Sequence, residues 1–268
     1  MPAAADIRWD PGPGSQRAFF GVLALLFATS AAVTAVWCAA MAEMGEIPMP
    51  GGWMLSMAWM PMCEQGWLGA TVSFIGMWVV MMVAMMLPSL APMLWRYRQA
   101  VGMAGKARAD GLTAVVGLGY FFVWTLLGIA IFAAGAALAE ALQQLPALAR
   151  AMPMASGMLV LLAGALQFSQ WKARHLACCR AAPAGGLPAD LGTAWRHGLR
   201  LGRHCSYSCA GLTAILLALG VMDLRAMAVV MAAITAERLV PAGERIARTL
   251  GAMSAGAGLF LILRAAGL

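Results

Sequence analysis

The chain has 268 residues, of which 62% are hydrophobic and 11% charged, with a mean hydropathy of +0.80 and a formal net charge of +7. A soluble domain carries about a quarter charged residues, so this composition excludes an ordinary water-facing fold and makes the bilayer the natural solvent. The positive charge does not signal nucleic acid, because the basic residues lie in short loops between long apolar runs.

A helix needs about 20 apolar residues to cross the hydrocarbon core. Runs of that kind fall at 19–42, 67–95, 111–139 and 152–172, with shorter ones at 206–222, 226–241 and 249–266. The expected fold is therefore an all-α, polytopic helical membrane protein, one membrane domain over 1–268, with seven spans, or six if the last run lies on the surface. The first run exceeds the apolar core of about 7–15 residues found in a signal peptide and follows a weakly basic segment, so it reads as a retained span.

Residues 43–66 form the next segment and hold "WMLSMAWMPMC". Met54, Met57 and Met60 are spaced by three, and Met62 and Cys63 follow at once. Thioethers and thiols are soft donors that suit Cu(I). An interfacial helix anchored by Trp53, Trp59 and Trp67 is the competing reading of the same residues.

The second span contains "MWVVMMVAMMLPSLAPM". Met77, Met81 and Met85 share one helical face, with Met82 and Met86 on an adjacent one. They could form a neutral thioether path for a monovalent cation, although methionine is also an apolar gap-filler. Pro88 and Pro92 are expected to end or kink this span.

Between 173 and 205 lies a basic loop with a Pro/Gly-rich linker and the amphipathic piece "TAWRHGLRLGRH". All three histidines and four of the six cysteines cluster at 175–209: His175, Cys178, Cys179, His197, His204, Cys205 and Cys209. Cys205 and Cys209 are four apart at a helix start and share a face. His175 with Cys178 or Cys179 repeats that spacing at the end of the fourth span. The fourth span leaves the membrane where the fifth enters it, so the two pairs belong to one leaflet and offer a four-ligand sulfur and nitrogen site. In the sixth run Glu237 is the acidic residue well inside an apolar segment, a position that marks function by default. A Glu237–Arg238 pair at the interface is the alternative.

Placing the N-terminus in the cytoplasm puts 15 of the 18 Lys and Arg residues in cytoplasmic segments and 3 outside. By the positive-inside rule this orients the chain. The Cys/His cluster then faces a reducing compartment, where a metal or redox role is favoured over structural disulfides. The Met-rich segment 43–66 then lies outside, beside Glu43, Glu46 and Glu64.

No HExxH, Walker loop, dinucleotide GxGxxG or CxxCH is present, so neither a nucleotide nor haem is expected. No catalytic triad is suggested, and an enzyme is the weaker expectation. A thiol redox enzyme built on Cys178–Cys179 would lack the usual CxxC.

The order of "MMVAMMLPS", "QFSQWKARHLACCR", "RHGLRLGRHCSYSC" and "ITAERLVP" from residue 19 onward resembles a bacterial inner-membrane family of predicted metal-binding integral membrane proteins, sometimes labelled copper-chaperone-like. That family usually carries Lys-x-x-Cys-Leu-x-x-Cys-Arg. Lys172, Leu176, Cys179 and Arg180 match it, with His175 at the place of the first cysteine. Ser208 stands where the family tends to carry a further cysteine.

The first reading of these residues is copper handling: Cu(I) collected outside by Met54, Met57, Met60, Met62 and Cys63, and held inside by His175, Cys178, Cys179, Cys205 and Cys209. Met81, Met82, Met85 and Met86 would connect the two, and Glu237 lies in the same leaflet as the inner group. The implied partners are the lipid bilayer and copper chaperones or copper-enzyme subunits. The reading from a different class is an accessory subunit of a larger membrane complex, in which glycine- and alanine-rich spans serve close helix packing.

Overall fold

The computed structural model describes residues 12–43, 45–60, 66–181 and 188–267. Among these there are eight α-helices: α1 (Gly12–Glu43), α2 (Trp67–Val101), α3 (Lys106–Gln144), α4 (Pro146–Leu166), α5 (Gln170–Arg180), α6 (Leu191–Leu219), α7 (Leu224–Leu239) and α8 (Gly243–Ala265). A two-stranded antiparallel hairpin, β1 (Glu46–Met49) and β2 (Trp53–Ser56), follows α1.

Among the described residues, five helices are long and apolar enough to cross a membrane: α1, α2 with the short turn after it, α3, α4 and α8. The sequence expectation of six or seven such elements divides here. In α6 the first half carries Arg196, His197, Arg200, Arg203 and His204, and only the half after Cys205 is apolar. The 16 residues of α7 include Glu237 and Arg238. Both helices exist, joined through Gly220–Asp223, but neither has a continuous apolar run of spanning length.

The basic stretch 173–205 holds the end of α5 and the start of α6, with residues 182–187 outside the described set. Ser169 caps α5 through the Lys172 amide, and Asp190 caps α6 through the Thr193 amide. The Thr193 hydrogen bonds also hold the Asp190 carboxyl below its ordinary value.

Close packing follows the small residues. A Cβ on Gly119 would stand 2.9 Å from Trp195 O, and one on Gly198 would meet Val116 O, so α3 and α6 touch backbone to backbone. A Cβ on Gly164 would stand 2.6 Å from Ala255 N, which fixes α4 against α8 in the same way. Pro88 and Pro92 do not end α2. The helix runs through both to Val101, although each proline removes an i→i−4 hydrogen bond.

The core centres on α2. Met77, Met81, Met82, Met85 and Met86 are all buried there, with Trp78 and, from α3, Trp124 and Tyr120. Trp78 Nε1 donates to Trp124 O at 2.9 Å, which satisfies the indole in this apolar setting. By contrast α1 presents Val22, Leu25, Leu26, Val33 and Val36 outward.

Candidate metal centre

Five helices converge on one buried sulfur cluster. Along α6, Cys205, Ser208 and Cys209 recur at i, i+3 and i+4 and are 0%, 1% and 1% exposed. Cys205 and Cys209 stand one helical turn apart on this face. From α5 comes Cys179, at 2% exposed. From α2 comes Met86, whose Sδ is 4.0 Å from Cys205 Sγ. From α3, Tyr120 Oη lies 2.8 Å from Cys205 Sγ.

The fifth contributor is Arg238 of α7, also buried. Its Nη2 donates to Cys209 Sγ at 3.5 Å and to Cys179 Sγ at 3.7 Å, and its Nη1 donates to Ser89 Oγ of α2 at 3.3 Å. Among the described residues no carboxylate lies in ion-pair range of it. Arg238 Nε and Ser208 Oγ, both buried, have no hydrogen-bond partner among the described residues.

Glu237 faces away from this cluster. Its oxygens take Lys172 Nζ of α5 at 2.9 and 2.8 Å, with both side chains buried. The acid expected to sit beside a metal, or to pair with Arg238, instead forms an α5–α7 ion pair. Successive residues on a helix point about 100° apart, so Glu237 and Arg238 serve two different neighbours.

His175 lies one turn before Cys179 on α5 and is partly buried at the edge of the inward face, where its ring meets His204 of α6 and not the sulfurs. Its Nδ1 is 2.9 Å from His204 Nδ1, and Trp171 and Tyr207 flank the pair. Burial, and then the neighbouring His175, holds the His204 imidazole below its ordinary value. His197 stacks on Tyr97 and is lowered by burial and by Arg200. Cys178 is exposed. The four-ligand set drawn from His175, Cys178, Cys179, Cys205 and Cys209 is therefore split: three thiols point inward, while the imidazole and Cys178 do not join them.

The Met-rich stretch is not one helical stripe. Met54 lies in β2 and is exposed, whereas Met57 opens a single helical turn over Met57–Trp59. A spacing of three therefore does not place them on one face. Met60 Sδ accepts from Gln143 Nε2 at 2.9 Å, and Trp53 Nε1 donates to Ala149 O, which docks the hairpin on the α3–α4 junction. Met62 and Cys63 lie outside the described residues. Met81 and Met85 are core residues of α2.

Sequence reasoning named Arg238 only as a partner of Glu237 and missed Ser89 and Tyr120. The signal for Arg238 was its place next to Glu237 in an otherwise apolar run. Tyr120 had none, because one tyrosine in a long apolar helix looks like packing. Among the described residues no three His, Cys, Asp or Glu side chains form a metal-ligand group. The available donors are the two thiols of α6, the Met86 thioether and the adjacent Cys179. This is a soft, all-sulfur set, and it fits a soft monovalent ion better than a hard cation.

No curated protein and no solved structure matches the chain. A family model described as PpoB2, copper chaperone, matches residues 75–261. That range contains every residue of the sulfur cluster and leaves out the hairpin. The matched range is well over half of the 268 residues, and the chain belongs to the PpoB2 copper-chaperone family.

Proposed function

We propose that this protein is an integral membrane protein that holds Cu(I) at the buried sulfur cluster and passes it to a membrane copper protein. The observation that carries this reading is the convergence of Cys205, Cys209 and Met86, with Cys179 adjacent, in a buried core around Arg238. Two thiolates and a thioether suit Cu(I), which accepts few ligands, whereas structural Zn(II) takes four. The family description supports copper as the cargo.

The bilayer setting rests on the five long apolar helices and on the outward apolar side chains of α1. In this reading α6 and α7 complete the bundle as its less apolar helices, the N-terminus is cytoplasmic, and the membrane is a bacterial inner membrane. His175 and His204 stand on the rim of the α5–α6 pair, outside the metal centre. The hairpin methionines Met54, Met57 and Met60 are then a separate surface feature and not part of the inner centre.

The test is a Cu(I) titration of detergent-purified, reduced protein against a competing chromophoric chelator. Near-stoichiometric copper in the wild type, lost in Cys205→Ser/Cys209→Ser, is the expected result. Copper retention by that variant overturns the assignment. A metal-free wild type that co-purifies in fixed ratio with other subunits would favour the accessory-subunit reading.

A further inference from the structure

Sulfur softness by itself does not choose among soft ions, because thiolates also bind Zn(II) and Cd(II). Charge does choose. Arg238 is buried and carries a permanent positive charge. The nearest carboxylate in sequence, Glu237, is taken by Lys172, and no other reaches Arg238 among the described residues. The side chains its guanidinium meets are Cys179, Cys209 and Ser89. An isolated buried charge is costly unless an opposite charge compensates it.

Resting on the Cu(I) reading above, we infer that Arg238 is the specificity-determining residue of the centre, which admits monovalent soft cations and disfavours divalent ones. When Cys205 and Cys209 bind a metal ion, each gives up its thiol proton to solvent and each sulfur donates an electron pair. Nothing is oxidised or reduced. Two thiolates with one monovalent ion carry a net charge of minus one, and the Arg238 guanidinium cancels it. Two thiolates with one divalent ion are neutral, so the guanidinium stays as uncompensated as in the metal-free thiol form. A divalent ion would need a third thiolate, from Cys179, to reach the balance that a monovalent ion reaches with two. The Lys172–Glu237 pair is neutral as a unit and leaves this balance unchanged, while keeping Glu237 from supplying the missing negative charge. Arg238 touches the sulfurs, so it acts on the bound ion at short range.

The experiment compares Ag(I), as an air-stable monovalent probe, with Cd(II), whose thiolate bonds absorb in the ultraviolet. Both are titrated by competition into detergent-purified wild type, Arg238→Met and Arg238→Lys. The expected result is a fall in the Ag(I)-to-Cd(II) affinity ratio of about tenfold or more in Arg238→Met, largely restored in Arg238→Lys. Parallel losses of both ions, or an unchanged ratio, overturn the inference.

A wild-type measurement keeps the test independent of whether Arg238→Met folds. The Ag(I)-to-Cd(II) ratio of the protein should exceed that of dithiothreitol by about tenfold or more, and an equal ratio contradicts the inference. A wild type that binds neither ion contradicts the Cu(I) reading itself, which separates the two failures.

Discussion

The guanidinium of Arg238 stands 3.5 Å from Cys209 Sγ, while the carboxylate of the preceding residue, Glu237, is turned to Lys172. Adjacent residues of one helix thus separate two tasks. Glu237 fastens α7 to α5, and Arg238 places a positive charge among thiols.

The fastening makes a stability prediction. Breaking a buried ion pair from one side strands a charge and costs about 3–5 kcal/mol. Lys172→Met should therefore lower the thermal stability of the purified protein strongly. The double variant Lys172→Met/Glu237→Leu should recover much of the loss, because it removes both charges. Equal destabilisation of single and double variants, measured by a detergent-compatible melt, would show that packing rather than charge dominates at this pair.

Helix contact makes a second prediction. Gly164 and Gly198 each meet backbone of a facing helix, so an added side chain has nowhere to go. Gly164→Val should loosen α4 from α8, and Gly198→Val should loosen α3 from α6, each costing about 1–3 kcal/mol as overpacking does. Gly21 has open space around its Cα, and Gly21→Ala is the matched control, with no loss of melting temperature.

The imidazole pair is predicted to be dispensable for the metal. His175 and His204 are hydrogen-bonded to each other at the partly buried edge of the α5–α6 pair. The variant His175→Gln/His204→Gln should keep the Cu(I) stoichiometry and affinity of the wild type in a chelator competition. A loss of bound copper comparable to that of Cys205→Ser/Cys209→Ser would place the imidazoles in the centre.

The helical class and most helix positions were legible because long apolar runs admit little else. The i, i+4 spacing of Cys205 and Cys209 and the burial of the α2 methionines follow directly from helical periodicity. Other features depend on facts that one-dimensional spacing does not carry. Met54, Met57 and Met60 look periodic, yet a hairpin ends between them, so spacing of three has no single geometric meaning there. His175 and Cys179 share the spacing of a ligand pair, yet α5 buries Lys172, Leu176 and Cys179 and leaves His175 at the edge of that face, where its ring turns to His204. Tyr120 and Ser89 join the cluster only through contacts between helices distant in sequence. The shortfall in α6 and α7 has a compositional cause: Arg196, Arg200 and Arg203 break the apolar run of α6, and the 16 residues of α7 carry Glu237 and Arg238 in the last turn.

The central claim is that the sulfurs of Cys205, Cys209 and Met86 hold the copper ion. Copper-edge X-ray absorption on protein loaded with one equivalent of Cu(I) tests it most directly. The account predicts a coordination shell of sulfur alone in the wild type and in His175→Gln/His204→Gln, and loss of that shell in Cys205→Ser/Cys209→Ser. A shell containing the imidazole scattering of histidine, or a sulfur shell that survives removal of both α6 cysteines, would contradict it.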